Sequence, residues 1–252
     1  MTDSAALQPP PGAIQRLHGA WDTEAGRAWC QALPTLLSRA PAEAAFYRGR
    51  NTLSRLAGVD RPVVIKAFGS GTWWRRGRGP MKATASYDHA QRLVRAGFGT
   101  PEPLAVVHAR GTGGFYVCAW ADCCRSVWDL HDGLIPAHHA TALAEFIAKL
   151  HEAGIHHHDL TPGNVLLKPV GDAFEFLLVD CNRMRFGPVP LSTGLAALAK
   201  LECQGHLVAP YAAARGADVL RAQRIFARVT LLERTTRRMK DATRPLRRRV
   251  GL

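Results

Sequence analysis

The run His157-His158-Asp159-Leu160-Thr161-Pro162-Gly163-Asn164 constrains this chain more than any other. Proline and glycine punctuate it, so it reads as a tight loop and not as a strand or helix. On such a loop the carboxylate of Asp159 and the amide of Asn164 can face the same pocket, with His157 bracing the loop backbone. Further on, the apolar run Phe176–Val179 ends in Asp180, after a turn at Gly171-Asp172. The chain thus supplies a carboxylate, an amide oxygen and a second carboxylate within one short stretch. Three histidines in a row, His156, His157 and His158, suggest metal at first sight. Adjacent residues point in different directions, and no cysteine or carboxylate stands at zinc spacing, so zinc is not the expectation.

The surrounding pattern predicts alternating strands and helices. Residues 21–38 carry Trp21, Trp29, Leu33 and Leu37; the last three are four apart, which suits one helix face, and a break follows at Pro41. AFYRGR (45–50) and LSRLAG (53–58) read as short strands around a turn, and PVVIKAF (62–68) as a buried strand. GSGTWWRRGRG (69–79) reads as a loop. A helix is predicted over 82–96, with Gly97 as its stop. Strands follow over 100–109 and 113–121, then a short helix over 126–130. Leu143, Phe146, Ile147 and Leu150 give 137–153 a helical stripe. Residues 191–252 read as helical and increasingly basic. The division expected is an extension over 1–40, a sheet-rich lobe over 41–122 and a mainly helical lobe over 123–252.

In this order the loop fits the protein-kinase catalytic-loop template H-x-D-L-x-x-x-N. Phosphoryl transfer needs a carboxylate beside the acceptor hydroxyl, to orient it and take its proton. Asp159 suits that role. Magnesium prefers oxygen ligands and takes only one or two protein carboxylates, which suits Asn164 and Asp180. Lys66, ending the strand Val63-Val64-Ile65-Lys66, occupies the position that contacts the α- and β-phosphates of ATP. Asp88 in the following helix is the expected carboxylate partner of Lys66. There is no G-x-G-x-x-G run, but Gly49, Arg50 and Asn51 lie between the first two strands, where backbone N–H groups can cap phosphates and Arg50 adds charge. An ordinary hairpin turn is the alternative there.

HHHDLTPGNVLL followed by VDCNRMRF resembles the lipopolysaccharide core kinases, the Kdo/heptose kinase (WaaP-like) family. GFGTPEPLAVV and YRGRNTLSR resemble them too, so the likeness spans roughly residues 45–190. It implies an α+β, two-lobed protein-kinase-like fold. The N-lobe would be an antiparallel sheet with one helix and the C-lobe small and mainly helical. It implies ATP and Mg²⁺ as cofactors and transfer of the γ-phosphate to an inner-core sugar hydroxyl. Carried over by position, Asp159 is the catalytic base, Asn164 and Asp180 are metal ligands, and Lys66 is the ATP lysine. The chain departs from the protein-kinase pattern at Asp180-Cys181-Asn182, at Asp88 in place of glutamate, and in having no A-P-E sequence. The last departure argues for a small or lipid-linked acceptor.

Composition narrows the partners. The net charge is +13, concentrated around Arg75, Arg76, Arg78 and Lys82 and in the tail from Arg234 to Arg249. Such clusters attract polyanions. With Trp73 and Trp74 the first suits an anionic membrane surface. The acceptor expected is the core glycolipid, with the chain cytoplasmic and peripheral on the inner membrane. No apolar run approaches the roughly 20 residues of a membrane-spanning helix, and no secretory signal is read. The cysteines are expected as free thiols of a reducing compartment. No nucleic-acid-binding module is present, and nothing in the sequence specifies an oligomeric state. A kinase of a soluble small molecule and an inactive kinase-like binding module are the rival readings.

Overall fold

The computed structural model describes residues 12–49, 51–69, 78–109, 113–127, 137–171, 173–201, 205–232 and 235. The chain divides into two compact units: Met1–Cys123 with Leu177–Arg183, and Cys124–Phe176 with Met184–Leu252.

The first unit is built on a six-stranded antiparallel sheet. Its strands are β1 (Ala13–Leu17), β2 (Ala45–Arg48), β3 (Thr52–Ala57), β4 (Pro62–Gly69), β5 (Pro103–Ala109) and β6 (Gly113–Ala119), in the order β1-β5-β6-β4-β3-β2. Alternation along β4 decides what each face does. Val63 and Ile65 are fully buried against Trp21, Cys30, Leu33, Val107 and Val117. Helix α1 (Glu24–Arg39) and the turn Gly19–Trp21 supply that cover. Lys66 and Phe68 lie on the opposite face, where helix α2 (Arg78–Arg95) packs through Ala83, Ser86, Tyr87, Ala90 and Leu93.

The residues expected to form an extension therefore complete this unit. β1 pairs with β5 (Ile14 opposite Val107), and α1 closes the core. Thr23 caps α1 by accepting from the Gly26 N–H at 3.1 Å. The Trp21 ring meets Trp29 edge-on at 5.3 Å and donates its indole N–H to Asp60 at 3.1 Å. Pro34 lies inside α1, where its ring leaves one helical N–H missing. One turn earlier the Gly12 N–H donates to the Gln31 carbonyl, which anchors the lead into β1.

The second unit holds helix α3 (Ala137–Glu152), the antiparallel pair β8 (Ile155–His157) with β11 (Met184–Phe186), and the sheet β10-β9-β7, of β7 (Arg125–Ser126), β9 (Val165–Val170) and β10 (Ala173–Leu178). The chain passes into the first unit at the end of β10. Helices α4 (Leu191–Lys200) and α5 (Val208–Ala214) follow, and residues 219–232 are helical. The short helix expected over 126–130 begins as strand at Ser126, and its last three residues lie outside the described ones. No helix among the described residues is long and apolar enough to cross a membrane.

Candidate active site

In the first unit, Lys66 and Asp180 meet. Lys66 lies on β4 opposite Tyr116 of β6, and its Nζ donates to Asp180 Oδ1 at 2.6 Å. The side chains are 12% and 27% exposed, so the pair is largely withdrawn from water but open on one side. Asp180 has a φ of +59°, the left-handed region. A non-glycine residue there carries strain of about 1–2 kcal/mol, which collects where side-chain aim matters. The segment is held from both sides. Thr100 Oγ1 donates to the Leu178 carbonyl at 2.8 Å, and His89 Nδ1 of α2 lies 2.8 Å from the Cys181 carbonyl. The buried Cys181 thiol, pushed up to about 12 by burial, is a packing group and not a nucleophile.

Asp88 is not the partner of Lys66. Its carboxylate binds Arg16 Nε at 3.1 Å, and Lys66 takes Asp180 instead. The cause is helical phase. Ser86, Tyr87, Ala90 and Leu93 form the buried stripe of α2, which turns Asp88 toward β1.

Of the expected phosphate loop, Gly49 and Asn51 form the β2–β3 turn, and the Gly49 N–H donates to the Asn51 carbonyl at 3.0 Å. That N–H is used in closing the turn. Arg50 lies outside the described residues.

In the second unit, His157, Asp159 and Asn164 form one hydrogen-bonded loop. His157 is fully buried on β8, and its Nδ1 accepts from the Asp159 N–H at 3.3 Å. Leu160, also fully buried, anchors the turn. The Asp159 carbonyl accepts from Thr161 N at 2.9 Å and from Asn164 Nδ2 at 2.8 Å. With its nitrogen donating there, the Asn164 amide has its oxygen left as an acceptor or a cation ligand. Lys200, at the end of α4, donates to the His158 carbonyl at 2.8 Å. Burial, then the neighbouring His158 and Lys200, pushes His156 down to about 4.

Lys200 and His89 are supports that sequence reasoning missed. Each binds a backbone carbonyl far along the chain, and no local pattern marks such a contact. Taken singly, the Asp180 carboxylate of the first unit and the Asn164 amide oxygen of the second are each hard, oxygen-type ligands, the kind that suits Mg²⁺. Among the described residues there is no group of three or more histidine, cysteine or acidic residues that could hold a metal ion.

A six-stranded antiparallel sheet with a helix on each face, a strand-borne lysine bonded to an aspartate just past a strand, and a buried-histidine loop carrying Asp159 and Asn164 define a protein-kinase-like fold. The solved structure "WaaP in complex with acyl carrier protein" matches it with a TM-score of 0.54 and 18% identity, covering 78% of this chain and 90% of that one. Residues 73–187 match the lipopolysaccharide kinase (Kdo/WaaP) family, and the resemblance carried by the catalytic loop and Asp180 stands. The fold is thus that of the protein kinases, and the stretch that carries the catalytic loop and Asp180 is similar to the Kdo/WaaP kinases. Weaker structural likenesses are a co-crystal structure of WbdD with a kinase inhibitor (TM-score 0.48, 16% identity, 73% of this chain and 44% of that one) and the Mycobacterium tuberculosis PknI kinase domain (0.45, 16%, 70% and 75%). No curated protein matches.

Proposed function

We propose that this protein transfers the γ-phosphate of ATP to a sugar hydroxyl, Kdo or heptose, of the lipopolysaccharide inner core. The observation that carries the reading is the 2.6 Å Lys66–Asp180 pair, in a chain whose residues 73–187 match the Kdo/WaaP family. The acceptor oxygen forms a bond to the γ-phosphorus, the bond from that phosphorus to the β-phosphate oxygen breaks, and ADP leaves. Asp159 orients the acceptor hydroxyl and takes its proton. His157 is a positioning residue: its ring holds the Asp159 N–H and so fixes the base. Lys66 binds the α- and β-phosphates, where its ammonium offsets their charge. Asn164 and Asp180 would hold Mg²⁺, which neutralises phosphate charge when bound.

The acceptor is membrane-borne in this reading, and the helix 219–232 supports a peripheral docking face. Leu220 and Leu231 are eleven residues apart, three helical turns, and both are exposed. Arg224 and Arg228 lie between them on that side, also exposed, with Arg221 and the exposed Leu232 flanking. Apolar and cationic side chains so arranged suit an anionic leaflet. The earlier candidates Trp73, Trp74, Arg75 and Arg76 lie outside the described residues, whereas Arg78 opens α2.

The test is labelled ATP with Mg²⁺ and purified core glycolipid, beside Asp159→Ala. Label is expected on the glycolipid, with a loss of about 100-fold or more in the variant. Equal transfer by both proteins removes Asp159 from the role of base. Transfer to a soluble alcohol but never to glycolipid replaces the acceptor.

A further inference from the structure

The antiparallel pair of β8 and β11, in the second unit, has two unlike faces. His157 and Met184 stand opposite each other and are buried. Their neighbours His156 and Arg185, also opposite each other, lie on the other face. There Arg185 is exposed and His156 is half-buried. The His158 ring lies edge-on to His156 at 5.6 Å, and Lys200 Nζ, from the end of α4, is bonded to the His158 carbonyl. We infer that Arg185 and Lys200 form a site for a carboxylate on the acceptor, so that the second unit selects a sugar acid over a neutral sugar. This site presupposes that Asp159 is the base that meets a sugar acceptor, as proposed above.

Charge gives the first argument. Arg185 forms no hydrogen bond or ion pair among the described residues. Lys200 bonds a carbonyl, which carries no counter-charge. Nor do the surroundings supply one. After burial, the groups that push His156 down to about 4 are His158, Lys200, His157 and Arg185. All four are bases, so the field at this face is positive. Groups perturbed in this way collect at functional sites. The helix dipole accounts for a lysine in a last turn. It does not account for a strand-borne arginine brought to the same face.

Placement gives the second. The carbonyl that Lys200 holds belongs to the peptide joining His158 to Asp159, and the N–H of that peptide donates to His157 Nδ1 at 3.3 Å. The peptide before the base is therefore gripped on both sides, and the ammonium is fixed one residue from Asp159. An acid group taken by Lys200 brings another part of the same sugar to the base.

The donors give the third. An ammonium has three N–H groups, and Lys200 spends one on the carbonyl. The Arg185 guanidinium presents a planar fork that meets a carboxylate with two parallel hydrogen bonds. Of the two acceptor sugars proposed, Kdo is an octulosonic acid and heptose has no carboxylate, so these donors favour the acid.

The test has a binding arm and a transfer arm. In the first, the full chain is titrated calorimetrically with free Kdo and with its methyl ester. In the second, phosphate transfer is timed with core glycolipid before and after its carboxyl groups are reduced to alcohols. Arg185→Ala, Arg185→Lys, Lys200→Gln (whose amide can still donate to the His158 carbonyl) and the exposed control Arg39→Ala are run beside the wild type, with circular dichroism to confirm folding. The acid should bind saturably and the ester should not. Affinity for the acid should fall about tenfold or more in Arg185→Ala and Lys200→Gln, recover in part in Arg185→Lys and stay unchanged in Arg39→Ala. KM for the intact glycolipid should rise by the same factor in Arg185→Ala with kcat unchanged, while KM for the reduced glycolipid should match that of the wild type. Arg185-dependent binding of the acid without transfer to either glycolipid keeps the site and removes the acceptor proposed above. No saturation by about 10 mM acid, equal binding of the ester, unchanged affinity in Arg185→Ala, or an equal rise in KM for intact and reduced glycolipid overturns the site.

Discussion

Lys66 and Asp180 are separated by 114 residues, yet their charged atoms are 2.6 Å apart. Each was legible in the sequence, because each ends an apolar strand run in the right order. Their pairing was not, since a carboxylate on the next helix, Asp88, fits the spacing equally well until the phase of α2 is known. Replacing Lys66 by Ala, or Asp180 by Asn, should lower phosphoryl transfer about 100-fold or more while the far-ultraviolet spectrum is unchanged; retained turnover in either would remove the pair from the chemistry. A different residue makes the fold acid-sensitive. His151 is buried, and burial, then His156 and Arg215, pushes it from 6.5 down to about 3. Its Nδ1 lies 2.8 Å from the Tyr211 hydroxyl, which accepts from Arg215 at 2.9 Å. Because the folded value is depressed, the unfolded chain takes the proton first as pH falls. The stability is full above about pH 6.5 and falls below it, by up to about 1.4 kcal/mol per pH unit. Urea midpoints at pH 7 and pH 5 should differ, and His151→Gln should narrow the difference. Equal narrowing by substitution of the exposed His158 would remove His151 as the cause.

Among the elements, β3 to β6 and the helices α2 and α3 were legible because each has a long apolar run or stripe. β1 was not. Its residues, AIQRL, are mostly exposed, and only the register with β5 makes them a strand. The tryptophans of the N-terminal segment signalled a helix, but not that the helix closes one face of the sheet. That cover makes the cap at Thr23 matter. Thr23→Ala should lower stability by about 1 kcal/mol, read as a shift in the urea midpoint, with phosphotransfer unaffected at a temperature where the variant is fully folded. A shift no larger than that of an exposed control such as Ser38→Ala would show that α1 does not need this cap.

At the scale of the whole molecule, the order of patterns led us to expect a sheet-rich part followed by a mainly helical one. That Leu177–Arg183 belong with the first unit was not legible there, since membership follows from contacts and not from position along the chain. The net charge of +13 also acts at this scale. If the helix 219–232 meets an anionic leaflet, Arg224→Ala/Arg228→Ala should weaken co-sedimentation with phosphatidylglycerol vesicles by about 2 kcal/mol, some 30-fold. Neutral phosphatidylcholine vesicles should show little dependence on the pair, and an unchanged partition into anionic vesicles would discard the docking face. The discontinuity of the first unit has a consequence for how the protein is made. A ribosome releases the β4 lysine long before it releases the aspartate that binds it, and the whole stretch from Cys124 to Phe176 must emerge in between. Until then the nascent sheet carries an ammonium with no counter-charge from Asp180, so the half of the molecule that is born first is among the last to be finished.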